Sequence, residues 1–539
     1  MSEAIGALKS GQKLSLTGSA VPADLDNSGS SGQQLVHVSK TNQAGYDVIP
    51  LDVAQVTGNP DLDKFLPGIP SNDDVEGGVR GAVGGILLEP LQWHQLLTPR
   101  GWKRLTTEGH TFADAVLTVA MAQIGQVMLV WPHQMYLTGI TAGVILMVAS
   151  GWFNIWSMWI LVIFYMERKN KMIKQGTWWE EGGVRRTVSQ LHEVVGFFGG
   201  KWLQIITQFL VGLSLLGTCI AQVVASSGNL YSIDQSHSKR TYELAFGAAL
   251  VCFSFVPTFR HFRMLNVIGL IGTTFTEWYI FGAAINHGIQ PGYQNGSPRG
   301  LENFFIGVAT LASGGHSNCL EMMDSMQDAG KYDWAFGLGF MYSYVLTVPH
   351  SVAINLAFPT EIAQQDNVYG VLPITAVKKA SVWMMIFHQF IAWSLYVNPL
   401  LYMWEKAIHT HKKPYWIRLP SRLPAALLIW FIGVLFPFYS TINSFFSAIT
   451  GPFIGFAIPC LLFNWYYRTP ERRANCPVQP SKFWGAYGWK PLFAVNIGMT
   501  LLYLVCEFGF GVVYNIKSII QNVDTFGVFP DCYQCAASA

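Results

Sequence analysis

Two short stretches carry polar groups inside otherwise apolar sequence: Met121-Ala-Gln-Ile-Gly-Gln126 and Ala312-Ser-Gly-Gly-His-Ser-Asn318, the second followed by Glu321. Gln123, Gly125 and Gln126 in the first, and Gly314, Gly315 and Ser317 in the second, combine amide or hydroxyl groups with glycines that let the backbone leave a helix. Backbone N–H groups freed at such breaks carry partial positive charge and attract anions. His316 adds an imidazole, which changes charge near neutral pH, and His388 and His261 are further histidines placed to carry a proton. Gln222 and Gln389 could close a polar cavity, with an ordinary interhelical hydrogen bond as the plain alternative for each. Asp114 and Glu321 are ionisable groups within apolar runs, where such groups are functional candidates by default. For Asp114, a gate pair with a cation such as Arg260 or Arg263 is the simpler account.

Enzyme chemistry is not indicated. No Ser/His/Asp ordering stands out, His409-Thr-His411 sits in a basic loop without acidic partners beside it, and Cys532-Tyr-Gln-Cys535 lacks two further zinc ligands at matching spacing. No metal or organic cofactor is therefore expected, and the only coupling ion that the side chains suggest is the proton. A formal net charge of +2, with basic residues interrupted by apolar runs, gives no nucleic-acid footprint.

The elements that hold these stretches must lie in lipid. The 539 residues are 51% hydrophobic and only 12% charged, which is more apolar surface than soluble domains bury. It falls in runs of about 20 residues, the length of a helix that crosses roughly 30 Å of hydrocarbon, and without period-two alternation these read as helices rather than barrel strands. Residues 1–105 are rich in Ser, Gly, Gln, Asn and Asp, as in Asn27-Ser-Gly-Ser-Ser-Gly-Gln-Gln34, and predict a disordered tail. No apolar run precedes residue 115, so no cleaved signal is expected. Residues 106–518 read as the membrane domain and 519–539 as a C-terminal tail.

Eleven spans are expected, at about 112–134, 137–165, 198–226, 242–258, 264–287, 302–324, 333–356, 380–405, 424–439, 441–464 and 490–515. A cytoplasmic N-terminus puts the basic clusters Arg168-Lys-Asn-Lys171, Arg260 with Arg263, Lys412-Lys413 and Arg472-Arg473 on the inside. The C-terminus then lies outside, where Cys532 and Cys535 could oxidise. The two polar stretches interrupt the first and the sixth span. That is the pattern of two five-span inverted repeats whose broken first helices meet at midplane. The expected fold is thus an all-α membrane protein of LeuT type, a 5+5 inverted repeat plus one extra helix.

At the level of motifs the chain resembles the plant auxin influx carriers of the amino acid/auxin permease family. The resemblance rests on Gln123-Ile-Gly-Gln-Val127, Gly314-Gly-His-Ser-Asn-Cys-Leu-Glu321, Phe387-His-Gln-Phe390 running to Pro399 and Trp404-Glu-Lys406, Arg422-Leu-Pro424, Phe436-Pro-Phe438 with Ile442-Asn-Ser444, and Val523-Asp-Thr-Phe-Gly527 to Cys532-Tyr-Gln-Cys535. It implies a plasma-membrane symporter that moves protons and indole-3-acetic acid into the cell. Where those carriers read Phe-His-Asn-Tyr-Arg, this chain reads Phe259-Arg-His-Phe-Arg263, so the family histidine linked to uptake falls on Arg260, with His261 next to it. The expected partners are a small aromatic carboxylate, protons and membrane lipid. A proton-coupled carrier of neutral or aromatic amino acids on the same scaffold is the alternative, and it would need an acceptor for the substrate amine.

Overall fold

The computed structural model describes residues 14–18, 35–42 and 45–52 and, from 110 to 521, all but 176, 179–186, 257–262, 291–295, 313, 436–438 and 478–487. Two units are distinct, Met1–Gly101 and Trp102–Ala539. In the first, β1 (Leu14–Gly18), β2 (Leu35–Asn42) and β3 (Gly45–Asp52) pair antiparallel in the order β1-β2-β3. The expectation of a disordered tail rests on the composition of the whole segment. Leu35-Val-His-Val-Ser-Lys-Thr-Asn42 taken alone is rich in β-branched residues, which suit a strand. The remainder of that tail lies outside the described residues.

The second unit is helical. Its first span is two helices, α1 (Phe112–Ile124) and α2 (Val127–Thr138), bent by 53° at Gly125 and Gln126. The capping box of Thr111 and Asp114 starts α1. Then come α3 (Ile140–Lys174), the short α4 (Leu191–Gly199), α5 (Lys201–Tyr231), α6 (Lys239–Phe253) and α7 (Arg263–His287). The sixth expected span is again two pieces, α8 (Leu301–Leu311) and α9 (Cys319–Ser325), separated by a non-helical stretch and a single 3₁₀ turn at His316–Asn318. Beyond it lie α10 (Tyr332–Ala357), α11 (Val368–Val371) and α12 (Ala376–Ala407). The last spans are α13 (Leu423–Leu435), then α14 (Tyr439–Gly451) joined through a π-helical segment at Pro452–Ala457 to α15 (Ile458–Tyr466). The chain closes with α16 (Trp489–Tyr503) joined through a π-helical segment at Leu504–Gly511 to α17 (Val512–Gln521).

Among the described residues, 7 helices are long and apolar enough to cross a membrane, and the bent pair α1/α2 makes up to 8. The chain is a multi-pass membrane protein. The helices α6, α8 with α9, and α10 occupy the remaining expected span positions but are too short or too polar to cross by length and hydropathy alone. Large side chains such as Trp202, Phe209, Ile271, Trp278 and Phe431 point outward, as they must where the solvent is hydrocarbon.

Polar contacts fix the two ends of the bundle. At one end His110 pairs with the strand-like end of α9 through its N–H to the Ser325 carbonyl at 2.8 Å, and Arg263 Nε meets Asp114 Oδ2 at 3.0 Å. Glu405, at the end of α12, accepts from Arg418 Nε at 2.7 Å and Arg422 Nε at 2.6 Å, while Arg422 also donates to the Ser254 carbonyl. At the other end Lys517 of α17 pairs with Glu302 of α8. The free ends of the first and last helices therefore lie at opposite ends of the bundle.

Gly139, between α2 and α3, has φ +78°, and an added Cβ would stand 2.5 Å from the Ser297 carbonyl carbon. Gly200 shares the left-handed conformation at φ +87° with nothing within 4 Å. Gly139→Ala is expected to destabilise the protein by more than Gly200→Ala, whose cost is backbone strain alone, about 1 kcal/mol. Thermal melts of the detergent-solubilised variants check this, and equal melting temperatures would refute the close approach at Ser297.

Candidate functional site

Helix ends leave carbonyls without partners, and in lipid no water is there to take them. Both breaks solve this with side chains. Tyr396 Oη donates to the Ala122 carbonyl at 2.6 Å near the end of α1. At the end of α8, Ser150 Oγ donates to the Leu311 carbonyl at 3.3 Å and Asn154 Nδ2 to the Ala312 carbonyl at 3.3 Å. The two breaks are tied to each other by Gln123 Nε2, which donates to the Gly314 carbonyl at 3.3 Å. Gly314 and Gly315 are required here: a Cβ on Gly314 would fall 1.9 Å from Asn154 Oδ1, and Gly315, at φ +66°, would place one 2.7 Å from Gln123 Nε2.

A cavity of about 100 Å³ opens between these breaks. Gln123 and Val127 line it from the first span, and Gly314, Gly315, His316 and Ser317 from the sixth. Its aromatic walls are Trp131, Tyr396, Phe446 and Phe456. Asn443, Ser447 and Thr450 of α14 add polar groups, and Glu507 reaches it from the π-helical segment of the last span. The meeting of the two polar stretches in one cavity is as expected from the sequence.

Within the cavity, His316 is buried, with Nε2 2.6 Å from Ser157 Oγ and its ring beside Phe336 and Phe456. Ser317 lines the cavity next to it. Several other candidates lie elsewhere. Gln126 turns away into a sealed amide cluster: it donates to Asn229 Oδ1 at 3.1 Å and accepts from Asn229 Nδ2 at 2.8 Å and from Gln389 Nε2 at 2.9 Å. Asn367 joins the same cluster through Asn229 at 3.1 Å. Gln126 and Gln389 are thus the interhelical hydrogen bond that the plain reading offered, and they lock α2 to α5 and α12. Gln222 is buried on α5 and is not among the cavity's lining residues. His388 sits behind the break, where a Cβ on Gly125 would be 3.2 Å from its Nε2. So Gly125 makes room for this ring and does not face the cavity.

Toward one end, Glu321 accepts from Gln190 Nε2 at 2.9 Å, and the same Nε2 donates to the Pro399 carbonyl. Asp114 pairs with Arg263, one of the two cations anticipated for it. Arg260 and His261 lie outside the described residues, as do Cys532 and Cys535. His411 has an acidic partner after all: its Nδ1 is 2.6 Å from Glu405 Oε2, because the end of α12 and the turn after it bring the two together. Just outside the membrane segments, burial pulls the His192 imidazole down to about 4, against the opposing pull of Glu193.

Of the buried ionisable groups that the sequence reading did not single out, three stand out. Glu277 of α7 and His350 of α10 form a fully buried pair, and His350 Nε2 also contacts the Met128 carbonyl at 3.1 Å in the first turn of α2. Glu507 is the third. All three stand inside expected spans, so the rule that singled out Asp114 and Glu321 applies to them equally.

Residues 108–481 match the transmembrane amino acid transporter protein family. Auxin transporter protein 1 of Arabidopsis thaliana is 31% identical over 482 residues, covering 89% of this chain and 97% of that protein. Auxin transporter-like protein 1 of Oryza sativa subsp. japonica is 32% identical over 441 residues, 81% of this chain and 88% of the relative. Auxin transporter-like protein 4 of Medicago truncatula is 31% identical over 456 residues, 84% and 92% respectively. The chain belongs to the auxin influx carrier family. The matched residues 108–481 include both broken spans and every cavity-lining residue named above except Glu507.

Gly315→Ala adds about 1–3 kcal/mol of backbone strain and drives a methyl group toward Gln123. The variant is expected to reach the cell surface yet lose most of its substrate uptake, whereas Gly228→Ala, with nothing within 4 Å, is expected to transport normally. Uptake normalised to surface protein measures both, and a fully active Gly315→Ala carrier would contradict the assigned junction.

Proposed function

We propose that this carrier is a proton-coupled symporter that imports indole-3-acetic acid, or a closely related aromatic carboxylate, across the plasma membrane. The observation that carries the reading is the shared cavity between the two helix breaks, lined by Gln123, Gly314, Gly315 and Ser317 and walled by Trp131, Tyr396, Phe446 and Phe456. A planar aromatic acid needs an apolar slot for its ring and donors for its carboxylate. Side chains already occupy the break carbonyls, so the substrate carboxylate is placed on the N–H side of the backbone at Gly314–Ser317. The names of the relatives point to the same class of substrate.

On this reading the bundle is the eleven-span LeuT-type fold, with α1/α2 and α8/α9 as the broken first helices of two inverted repeats. The N-terminus is cytoplasmic and the C-terminus extracellular, in keeping with the basic clusters at Arg168 to Lys171 and Lys412-Lys413. The pair of Asp114 with Arg263 is then an inner gate, closed in this conformation.

Symport follows from the energetics. Bringing one anion into a cell against an inside-negative potential costs about 2.3 kcal/mol per 100 mV. One accompanying proton cancels that charge and contributes about 1.36 kcal/mol for each unit of pH difference. A second reading, a carrier of aromatic amino acids, is favoured by one feature: Glu507 could accept a substrate ammonium in the cavity.

Labelled indole-3-acetate should accumulate in cells expressing the chain at acidic external pH, and a protonophore should abolish the accumulation. Unlabelled tryptophan should compete weakly. Uptake that ignores the protonophore would remove the coupling, and tryptophan competing as well as the indole acid itself would favour the amino acid reading. His316→Ala is expected to lose accumulation while still reaching the surface; Gln126→Ala should do so through loss of the amide cluster, with a lowered melting temperature that His316→Ala does not share.

A further inference from the structure

Glu507 sits in the π-helical segment Leu504–Gly511, is 1% exposed, and lines the cavity between the helix breaks. Its Oε1 has no hydrogen-bond partner. Gly451 leaves the space that this oxygen occupies, since a Cβ there would lie 2.9 Å from it. The extra residue that a π-helical turn holds re-aims side chains, and such turns recur at functional sites.

The charges around it are few. The helix α8 brings Glu302, held at its outer end by Lys517 of α17, and α17 adds Tyr514. From α16 come Tyr503 and, at its far start, Lys490; the segment itself adds Cys506. The helix α14 contributes Tyr439, whose side chain is outside the described residues, and Pro452–Ala457 contributes no ionisable group. Across the cavity stand His316 and Tyr396. None of the described lining residues is Lys or Arg.

A cavity meant for an anion, without a cation and with one buried carboxyl, faces an electrostatic conflict. Two carboxylates cannot both be ionised at close range in a medium of low dielectric. The conflict disappears when the protein carboxyl carries a proton, since it is then neutral and its O–H can donate to the substrate carboxylate. We infer that Glu507 is the proton-binding group of the transport cycle: it takes one proton from the outer solution, binds the aromatic carboxylate as a neutral acid, and gives the proton up on the inner side when the substrate leaves. Proton and anion enter the cavity together because neither occupies it well alone. This rests on the proposed symport of an aromatic carboxylate and gives that reading its coupling residue.

The test uses the full chain reconstituted in liposomes, as wild type, Glu507→Gln and, as a control away from the cavity, Gly228→Ala. For one coupled proton, wild type should concentrate indole-3-acetate about tenfold per unit of imposed pH difference. Glu507→Gln should lose that gradient-driven accumulation and keep substrate exchange at equal pH on both sides, because the amide still donates a hydrogen bond while binding no proton. Gly228→Ala should keep the response to the gradient.

In weakly buffered detergent solution, wild type should take up about one proton for each substrate bound, and Glu507→Gln none. Gradient-driven accumulation by Glu507→Gln equal to wild type overturns the assignment. So does a folded Glu507→Gln protein without exchange, and so, should that variant fail to fold, does substrate binding by wild type without proton uptake. A wild type that carries tryptophan and not indole-3-acetate defeats the functional reading itself. Loss of tryptophan exchange in Glu507→Gln would then assign the carboxylate to the substrate ammonium and overturn its role as proton carrier.

Discussion

A peptide carbonyl that leaves a helix within the bilayer needs a partner, and lipid supplies none. An unpaired group there costs several kcal/mol. Everything particular about this fold follows from paying that cost at two places. Ala122, Leu311, Ala312 and Gly314 expose their carbonyls, and Tyr396, Ser150, Asn154 and Gln123 cover them from other elements of the bundle or from the opposite break. Because the donors come from α12, α3 and α1, the breaks are held open by the tertiary structure and not by local sequence. The bond from Gln123 to Gly314 goes further, since it joins one break to the other. A carrier that rocks one half against the other must keep or trade these bonds as a set, which makes the junction a natural pivot.

The cavity beside the junction inherits a definite character. Its break carbonyls are covered by side chains, and on the proposed reading an anion is received on the N–H side of the Gly314–Ser317 backbone. The walls are aromatic on several sides. The described lining residues include no Lys or Arg and one carboxyl, Glu507, and on the proposed reading an anion enters together with a proton. Coupling in this view is a matter of charge balance in a small space of low dielectric. The ends of the bundle carry the opposing arrangement: Asp114 pairs with Arg263, and Glu405, though buried, is matched by the guanidinium groups of Arg418 and Arg422.

Much of this could be read from the residues. Gln123 to Gln126 and Gly314 to Asn318 announce broken spans because glycine and amides at mid-depth are otherwise expensive, and the structure brings the two together. What could not be read was which side chain faces inward. Gln123 and Gln126 are three positions apart and look equivalent along a continuous helix, yet the 53° bend between α1 and α2 sends one to the cavity and the other into the Asn229 cluster. Asn154 gave no signal, being a single amide in an apolar run whose partner lies 158 residues away. The aromatic walls were hidden among many equivalent rings. Glu277, His350 and Glu507, by contrast, were legible and were passed over, since ionisable residues inside apolar spans are rare enough to be noticed one at a time.

The central claim is that substrate binds where the two breaks meet. A cryo-electron microscopy map of the carrier with indole-3-acetate bound tests this most directly. Density for the ligand should lie between Gln123 and Gly315, with its carboxylate against the Gly314–Ser317 backbone and its ring among Trp131, Tyr396 and Phe456. Ligand density at any other place, with this cavity unchanged and unfilled, would contradict the account.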